Sequence, residues 1–320
     1  MSEPTYRQAL FQAWRLVWHN KILWIFGLLS MLFAGSFGAD NFIGKLLTAL
    51  SDGKATFLAN FKLRSFLNFT PINAIGLVWL AGIMIAIGLF IIFVSICSRA
   101  SLLIATAEFY RHKIIPKFSL IWHSSIKYFW QILSIEMIKK ILLITILIIF
   151  TAIWQQLPNL NSLWQTPLAF LILGVIICLS LIIISVAIYA SGYAVIDKKS
   201  LLTSITSGWK LFRRHILVSL EISLILLLID LLVLFLLLGV FSVAFVPSLL
   251  IWIVAATVGN YVMATIGFLL GLFILVILIA FVGAIYNTFT TSVWMYMFMK
   301  MHHENIFSRI FHHVGNFFKK

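Results

Sequence analysis

The chain has 320 residues, 62 % of them hydrophobic and only 10 % charged, with a mean hydropathy of +1.10. A water-soluble domain carries about 25 % charged residues, so composition excludes a soluble fold and, equally, a disordered one. Basic residues number 23 against 9 acidic ones, a formal net charge of +14. In a chain this apolar, that excess points to cytoplasmic loops and anionic lipid headgroups rather than to nucleic acid.

The apolar runs are continuous, whereas the strands of a membrane β-barrel alternate apolar and polar residues. The expected class is therefore an all-α integral membrane protein. The expected location is the cell (plasma) membrane, which in a bacterium is the inner membrane. About 20 apolar residues cover the ~30 Å hydrocarbon core, and six segments qualify.

A polar stretch carrying Ala13-Trp14-Arg15-Leu16-Val17 leads into the first span, at residues 21–38. Tyr6, Leu10, Ala13, Trp14 and Val17 share one helical face and Arg7, Gln8, Gln12, Arg15 and His19 the other. This is the pattern of a helix lying in the membrane interface, rings buried and charges in water. The preceding residues include Trp14 and Trp18 instead of a short basic stub, so the first span is expected to be retained, not cleaved as a signal peptide. Residues 39–73 form an outside loop with Phe42, Ile43, Leu46, Leu47 and Leu50 at helical spacing, and residues 74–98 are the second span.

Ser125-Ile126-Lys127-Tyr128-Phe129 leads into the third span, residues 132–154, and residues 167–196 form the fourth. Gly208-Trp209-Lys210-Leu211-Phe212, followed by Arg213 and Arg214, leads into the fifth, residues 216–240. Here Leu201, Ile205, Trp209 and Phe212 oppose Thr206, Lys210, Arg213 and Arg214. Residues 249–258 are apolar but too short to cross, and are expected to be re-entrant or interfacial. The sixth span, residues 264–300, is long enough to tilt or to project from the membrane, and residues 301–320 read as an amphipathic cytoplasmic tail.

Three sequences of the form small, large apolar, basic, apolar, apolar thus precede three pairs of spans. The expected organisation is one helical membrane domain of three loose repeats, residues 1–115, 116–199 and 200–300, each an interfacial elbow helix plus two spans. With the N-terminus inside, nineteen of the 23 basic residues and all eight histidines are cytoplasmic. Lys45, Lys54, Lys62 and Arg64 alone are outside, so both termini are expected in the cytoplasm.

Charges within the bilayer are the first functional candidates. Glu136, Lys139 and Lys140 stand near the start of the third span, where Glu pairs with Lys at i+3 and i+4 and the lysine stems reach the headgroups. Glu221 is close to the inner end of the fifth span, within reach of Arg213, Arg214 or His215. Asp230 is deeper, 14 residues past Ile216 or ~21 Å along its helix. Ser219 and Ser223 share its face. Asn287 lies at a matching depth in the sixth span, and a meeting of Asp230 with Asn287 is expected between these two helices. Its structural purpose is a helix-clamping hydrogen bond. Its functional alternative is a proton or substrate site.

Gly267 and Gly271 form a GxxxG, which permits close helix approach. Cys97 and Cys178 lie in apolar runs without a CxxC spacing. His302 and His303 stand ~14–16 Å from His312 and His313 along a continuous helix, too far to share a zinc ion. There is no GxxxxGK[ST], HExxH or GxSxG, so neither an ATP-driven motor nor an enzyme is expected, and no metal or cofactor.

Ala194-Val195-Ile196-Asp197, continued by Ser204 and Gly208-Trp209-Lys210-Leu211-Phe212-Arg213-Arg214-His215-Ile216, resembles a bacterial pattern. It is found in the membrane-domain family attached to some glycerophosphoryl diester phosphodiesterases and in related multi-pass proteins. Ala13-Trp14-Arg15-Leu16-Val17-Trp18-His19-Asn20-Lys21 with Leu23-Trp24-Ile25-Phe26-Gly27 resembles it too. The resemblance implies a helical membrane module and lends no catalytic residue, because no stretch is polar enough to fold as the phosphodiesterase.

The expected function is a non-catalytic membrane module: a scaffold, or a lipid-interacting or assembly factor. Trp14, Arg15, Lys127, Trp209, Lys210, Arg213 and Arg214 would meet anionic headgroups, with a second copy or another membrane protein as further partner. The alternative is a small-solute permease using Asp230 and Asn287, with Ser219 and Ser223 on the path.

Overall fold

The computed structural model describes residues 5–34, 71–113, 116–156 and 162–303 of the chain. In hydrocarbon every backbone N–H and C=O needs a partner within the protein, which favours helices. The described residues form ten of them and no strand. In chain order they are α1 (Thr5–His19), α2 (Ile22–Ala34), α3 (Pro71–His112), α4 (Phe118–Ile126), α5 (Phe129–Gln156), α6 (Ser162–Ile196), α7 (Leu201–Arg214), α8 (Ile216–Ala244), α9 (Val246–Val258) and α10 (Tyr261–His303). The short helices α1, α4 and α7 each turn directly into a more apolar one.

Four stretches are long and apolar enough to cross a membrane by length and composition: Val78–His112, Thr166–Ile196, Ile216–Ala244 and Tyr261–His302. Helix α5 matches them in length but carries Glu136, Lys139 and Lys140 in its first half. Helix α2 has 13 residues in its described part. Residues 42–50, whose apolar spacing is helical in the sequence, and the tail beyond residue 303, with His312 and His313, lie outside the described residues.

Helices α3 and α10, with 42 and 43 residues, are ~63 and ~65 Å long, about twice the hydrocarbon thickness. Their burial is one-sided. Ile96, Ala100 and Leu103 of α3, Tyr189 and Val195 of α6, and Val293, Met297 and Phe298 of α10 make one core with Tyr6, Ala13 and Phe212. A second cluster, Leu16, Leu23, Phe26, Leu102 and Ile121, ties α1 and α2 to α3 and α4. A third, Ile135, Ala187, Ala190 and Ala194, seats α5 on α6 and receives Leu201 and Ile205 of α7. Toward the other end Val78, Leu89 and Phe90 of α3, Phe170 of α6 and Phe235 of α8 are exposed, as lipid-facing side chains are. The packed half is thus the half where the elbow helices lie.

The elbows are closed by local bonds. Trp24 Nε1 donates to the Val17 carbonyl at 2.9 Å, and Asn20 Nδ2 to that of Leu16 at 3.2 Å. The His215 N–H reaches the Leu211 carbonyl at 3.0 Å, where α7 bends into α8.

The 13-residue α9 is ~20 Å long, too short to cross, as the sequence indicates. It packs along α10. The ideal Cβ of an alanine at Gly267 would stand 3.2 Å from the Ser248 carbonyl, and one at Gly271 would overlap the Phe245 ring. The GxxxG contact therefore lies within the chain.

Gly27 permits the closest helix crossing. A Cβ there would stand 2.4 Å from the Ala284 carbonyl of α10 and 2.2 Å from Thr288 Oγ1. At Gly208 it would stand 2.8 Å from the Ala190 nitrogen of α6. We expect Gly27→Val and Gly208→Val each to lower the thermal unfolding midpoint in detergent, by about 1–3 kcal/mol of overpacking or more. Gly88→Ala, with nothing within 4 Å, should leave that midpoint unchanged or raise it slightly.

Candidate functional site

The most deeply placed charge belongs to Glu136, whose side chain has no exposed surface. Its Oε1 lies 2.9 Å from Arg99 Nε of α3, and its Oε2 lies 2.5 Å from Lys139 Nζ one turn along α5. The i+3 pairing is the one that the sequence indicates. The third member comes from another helix, 37 residues earlier in the chain. Two cations on one carboxylate leave the triad with one net positive charge. Breaking such a buried set by removing one member is strongly destabilising.

Arg99 also lines a cavity of about 390 Å³ between α2, α3, α6, α8 and α10. Met31, Leu103 and Ile188 supply apolar wall; Ser191, Asp230, Tyr286, Asn287 and Thr290 supply polar groups. The cavity thus collects both residues that the sequence expects to meet, yet it does not pair them. Asn287 Nδ2 donates to the Gly27 carbonyl at 2.9 Å and to Ser30 Oγ at 2.7 Å, clamping α10 to α2. Asp230 is exposed and lines the cavity beside Tyr286, whose hydroxyl donates to the Leu226 carbonyl of α8 at 3.5 Å. Asn287 points to the first helix pair because Gly27 brings α2 so close to α10, while Tyr286, one residue earlier, faces α8.

Ser219 and Ser223 are buried on α8 but serve α6 rather than Asp230. The Ser219 and Tyr189 hydroxyls are 2.9 Å apart, and those of Ser223 and Ser185 are 3.0 Å apart. Glu221 on the same helix accepts a hydrogen bond from the Tyr6 hydroxyl of α1. Tyr110 donates to the Ser292 carbonyl at 3.2 Å, joining α3 to α10.

The elbow residues sit on the outside. Arg15, Lys127, Lys210, Arg213 and Arg214 are all exposed. The indoles face outward too: Trp14 is 51 % and Trp209 44 % exposed, because the smaller Ala9, Ala13 and Gly208 occupy the protein-facing side of their helices. Trp14 still touches Phe289 edge-on at 6.1 Å, and Trp209 stacks on Phe212 at 5.9 Å. Between α1 and the end of α3 lies a basic groove of about 470 Å³ lined by Phe11, Gln12, Arg15, His19, Asn20, Phe109 and Lys113. Lys113 adopts a left-handed φ of 59°, and its ammonium lies 5.6 Å from the Phe109 ring. The two cysteines are free, Cys97 buried and Cys178 exposed.

No protein-family model, curated protein or solved structure matches this chain.

The geometry separates two polar roles. Asn287→Leu should destabilise the protein by about 1–3 kcal/mol, since it removes both hydrogen bonds by which α10 holds the Gly27 carbonyl and Ser30 of α2. Asp230→Asn should change stability by under ~0.5 kcal/mol, as expected for a side chain open to a cavity. Thermal unfolding of both variants in the same detergent checks the contrast.

Proposed function

We propose that the protein is a non-catalytic multi-pass module of the plasma membrane, the inner membrane in a bacterium. It engages anionic lipid headgroups on the cytoplasmic side and acts there as a scaffold or assembly factor. In this reading α2, α3, α5, α6, α8 and α10 cross the bilayer, both termini are cytoplasmic, and the three elbow helices lie in the inner interface. The carrying observation is the groove in which Arg15, His19 and Lys113 converge beside two phenylalanines. Cations supply the attraction to phosphate and the rings rest against the upper acyl region. Exposed Lys210, Arg213 and Arg214 repeat the same chemistry on α7. The resemblance to membrane domains that accompany phosphodiesterases agrees with a module lacking chemistry of its own.

The test is the lipid that stays with the purified protein. We expect Arg15→Gln combined with Lys113→Gln to reduce retained anionic phospholipid at least threefold by native mass spectrometry, and Lys210→Gln with Arg213→Gln to add to the loss. An unchanged lipid complement in the fourfold variant would reject the headgroup reading.

A second reading, a small-solute permease, is favoured by one observation: a polar cavity reaches Asp230 between the helices. Solute flux through proteoliposomes, abolished in Asp230→Asn, is its signature.

A further inference from the structure

We propose that the cavity between Arg99 and Asp230 binds a zwitterion, its anionic oxygens against the Arg99 guanidinium and its protonated amine against the Asp230 carboxylate. The inference rests on the second reading above only so far as the cavity is a ligand site. It requires no transport.

The triad of Arg99, Glu136 and Lys139 holds one cation more than anion. Asp230, which lines the same cavity, has no ion-pair partner among the described residues. The cavity is therefore lined both by an arginine of a triad with excess positive charge and by a carboxylate, in a medium where uncompensated charge is unfavourable. A simple anion drawn to Arg99 meets Asp230, and a simple cation drawn to Asp230 meets Arg99. A ligand carrying both charges answers both groups and adds no net charge.

Donor geometry points the same way. Arginine offers five N–H donors in a fork. Glu136 takes the Nε side and is the only ion-pair partner of Arg99 among the described residues, so the terminal nitrogens remain for a carboxylate or phosphate, the groups this fork matches best. Two of the neighbouring hydroxyls are already committed: Thr290 donates to the Tyr286 carbonyl at 2.6 Å and Ser191 to that of Ala187 at 2.9 Å. These two can accept from an ammonium but have no proton left for an anion. The volume, about 390 Å³, is near the lower end of small-molecule sites. It suits a compact group such as a glycerophosphoethanolamine diester or an amino acid. Two sources share this chemistry, the headgroup of an amine-bearing phospholipid and a free zwitterion.

The experiment uses the full chain, purified in detergent and in nanodiscs, beside Asp230→Asn. Two arms distinguish the sources. Native mass spectrometry reads retention of phosphatidylethanolamine against phosphatidylglycerol; calorimetry reads binding of glycerophosphoethanolamine and of L-alanine, with inorganic phosphate as the anionic control. We expect binding in at least one arm, weakened about tenfold in Asp230→Asn, with the variant's unfolding midpoint preserved. Arg99→Gln paired with Glu136→Gln, which does not strand the carboxylate, should weaken the same probe. Binding confined to the lipid arm or to the soluble arm supports the site and names its source. No binding in either arm, equal binding by Asp230→Asn, or preference for phosphatidylglycerol or inorganic phosphate over the zwitterions would overturn it. The cavity lies apart from the elbow lysines and arginines, so failure of the headgroup reading moves only the anionic-lipid measurement. Absence of flux with binding intact removes the permease and leaves the site.

Discussion

Glu136 sits with no exposed surface between Arg99 and Lys139, and much of the molecule follows from how that carboxylate is satisfied. Its oxygens are met from two directions, one cation from its own helix and one from α3. The second contact fixes the rotation of α3 against α5. It also lets α3 run on past a residue that would otherwise mark the edge of the hydrocarbon. Arg99 can stay among helices because its partner is there, and α3 extends to His112. The same guanidinium forms one wall of the central cavity. The charge that holds two helices together thus also gives the cavity its sign.

Around this triad the helices are held by close approach and small hydrogen bonds, not by bulk hydrophobicity, which gives little drive between helices surrounded by lipid. Ser95 donates to the Ser30 carbonyl at 3.1 Å and Thr288 to that of Leu23 at 3.1 Å, both across helix pairs. Together with the Asn287 clamp and the paired hydroxyls of α6 and α8, they concentrate in the half of the bundle that holds α1, α4 and α7. The other half presents Leu, Phe and Val outward. The cavity that holds Arg99 and Asp230 is walled in part by Leu103 and Trp294 of the packed core.

Much of this was legible in the residues. Apolar runs gave the long helices, and the small-apolar-basic pattern marked α1 and α7 because an amphipathic face shows at a period of 3.6. Asp230 and Asn287 stood out because a lone polar group in hydrocarbon needs a reason. The partners did not stand out. Arg99 read as the cytoplasmic end of a span, since nothing within a turn of it is acidic. Its link to Glu136 depends on how α3 and α5 rotate, and helices apolar all round carry no periodicity that fixes rotation. Asn287 turned to Ser30 for the same reason: the one-residue difference between Tyr286 and Asn287, about 100° around α10, decides which neighbour each faces. The outward Trp14 and Trp209 show that Ala and Gly compete successfully for the protein-facing side wherever helices touch closely.

A triad that organises the bundle has to be energetically coupled. A double-mutant cycle on Arg99→Met and Glu136→Leu, read from unfolding in one detergent, measures that coupling directly. The structure calls for Glu136→Leu to lose roughly 3 kcal/mol or more, because it strands two buried cations, and for Arg99→Met to lose less, because Lys139 still holds the carboxylate. In the double variant only Lys139 is left without its partner, so the two losses should fall short of adding, with a coupling above ~1 kcal/mol. Single losses that simply add, within ~0.5 kcal/mol, would mean that the two charges do not depend on each other and would contradict the account.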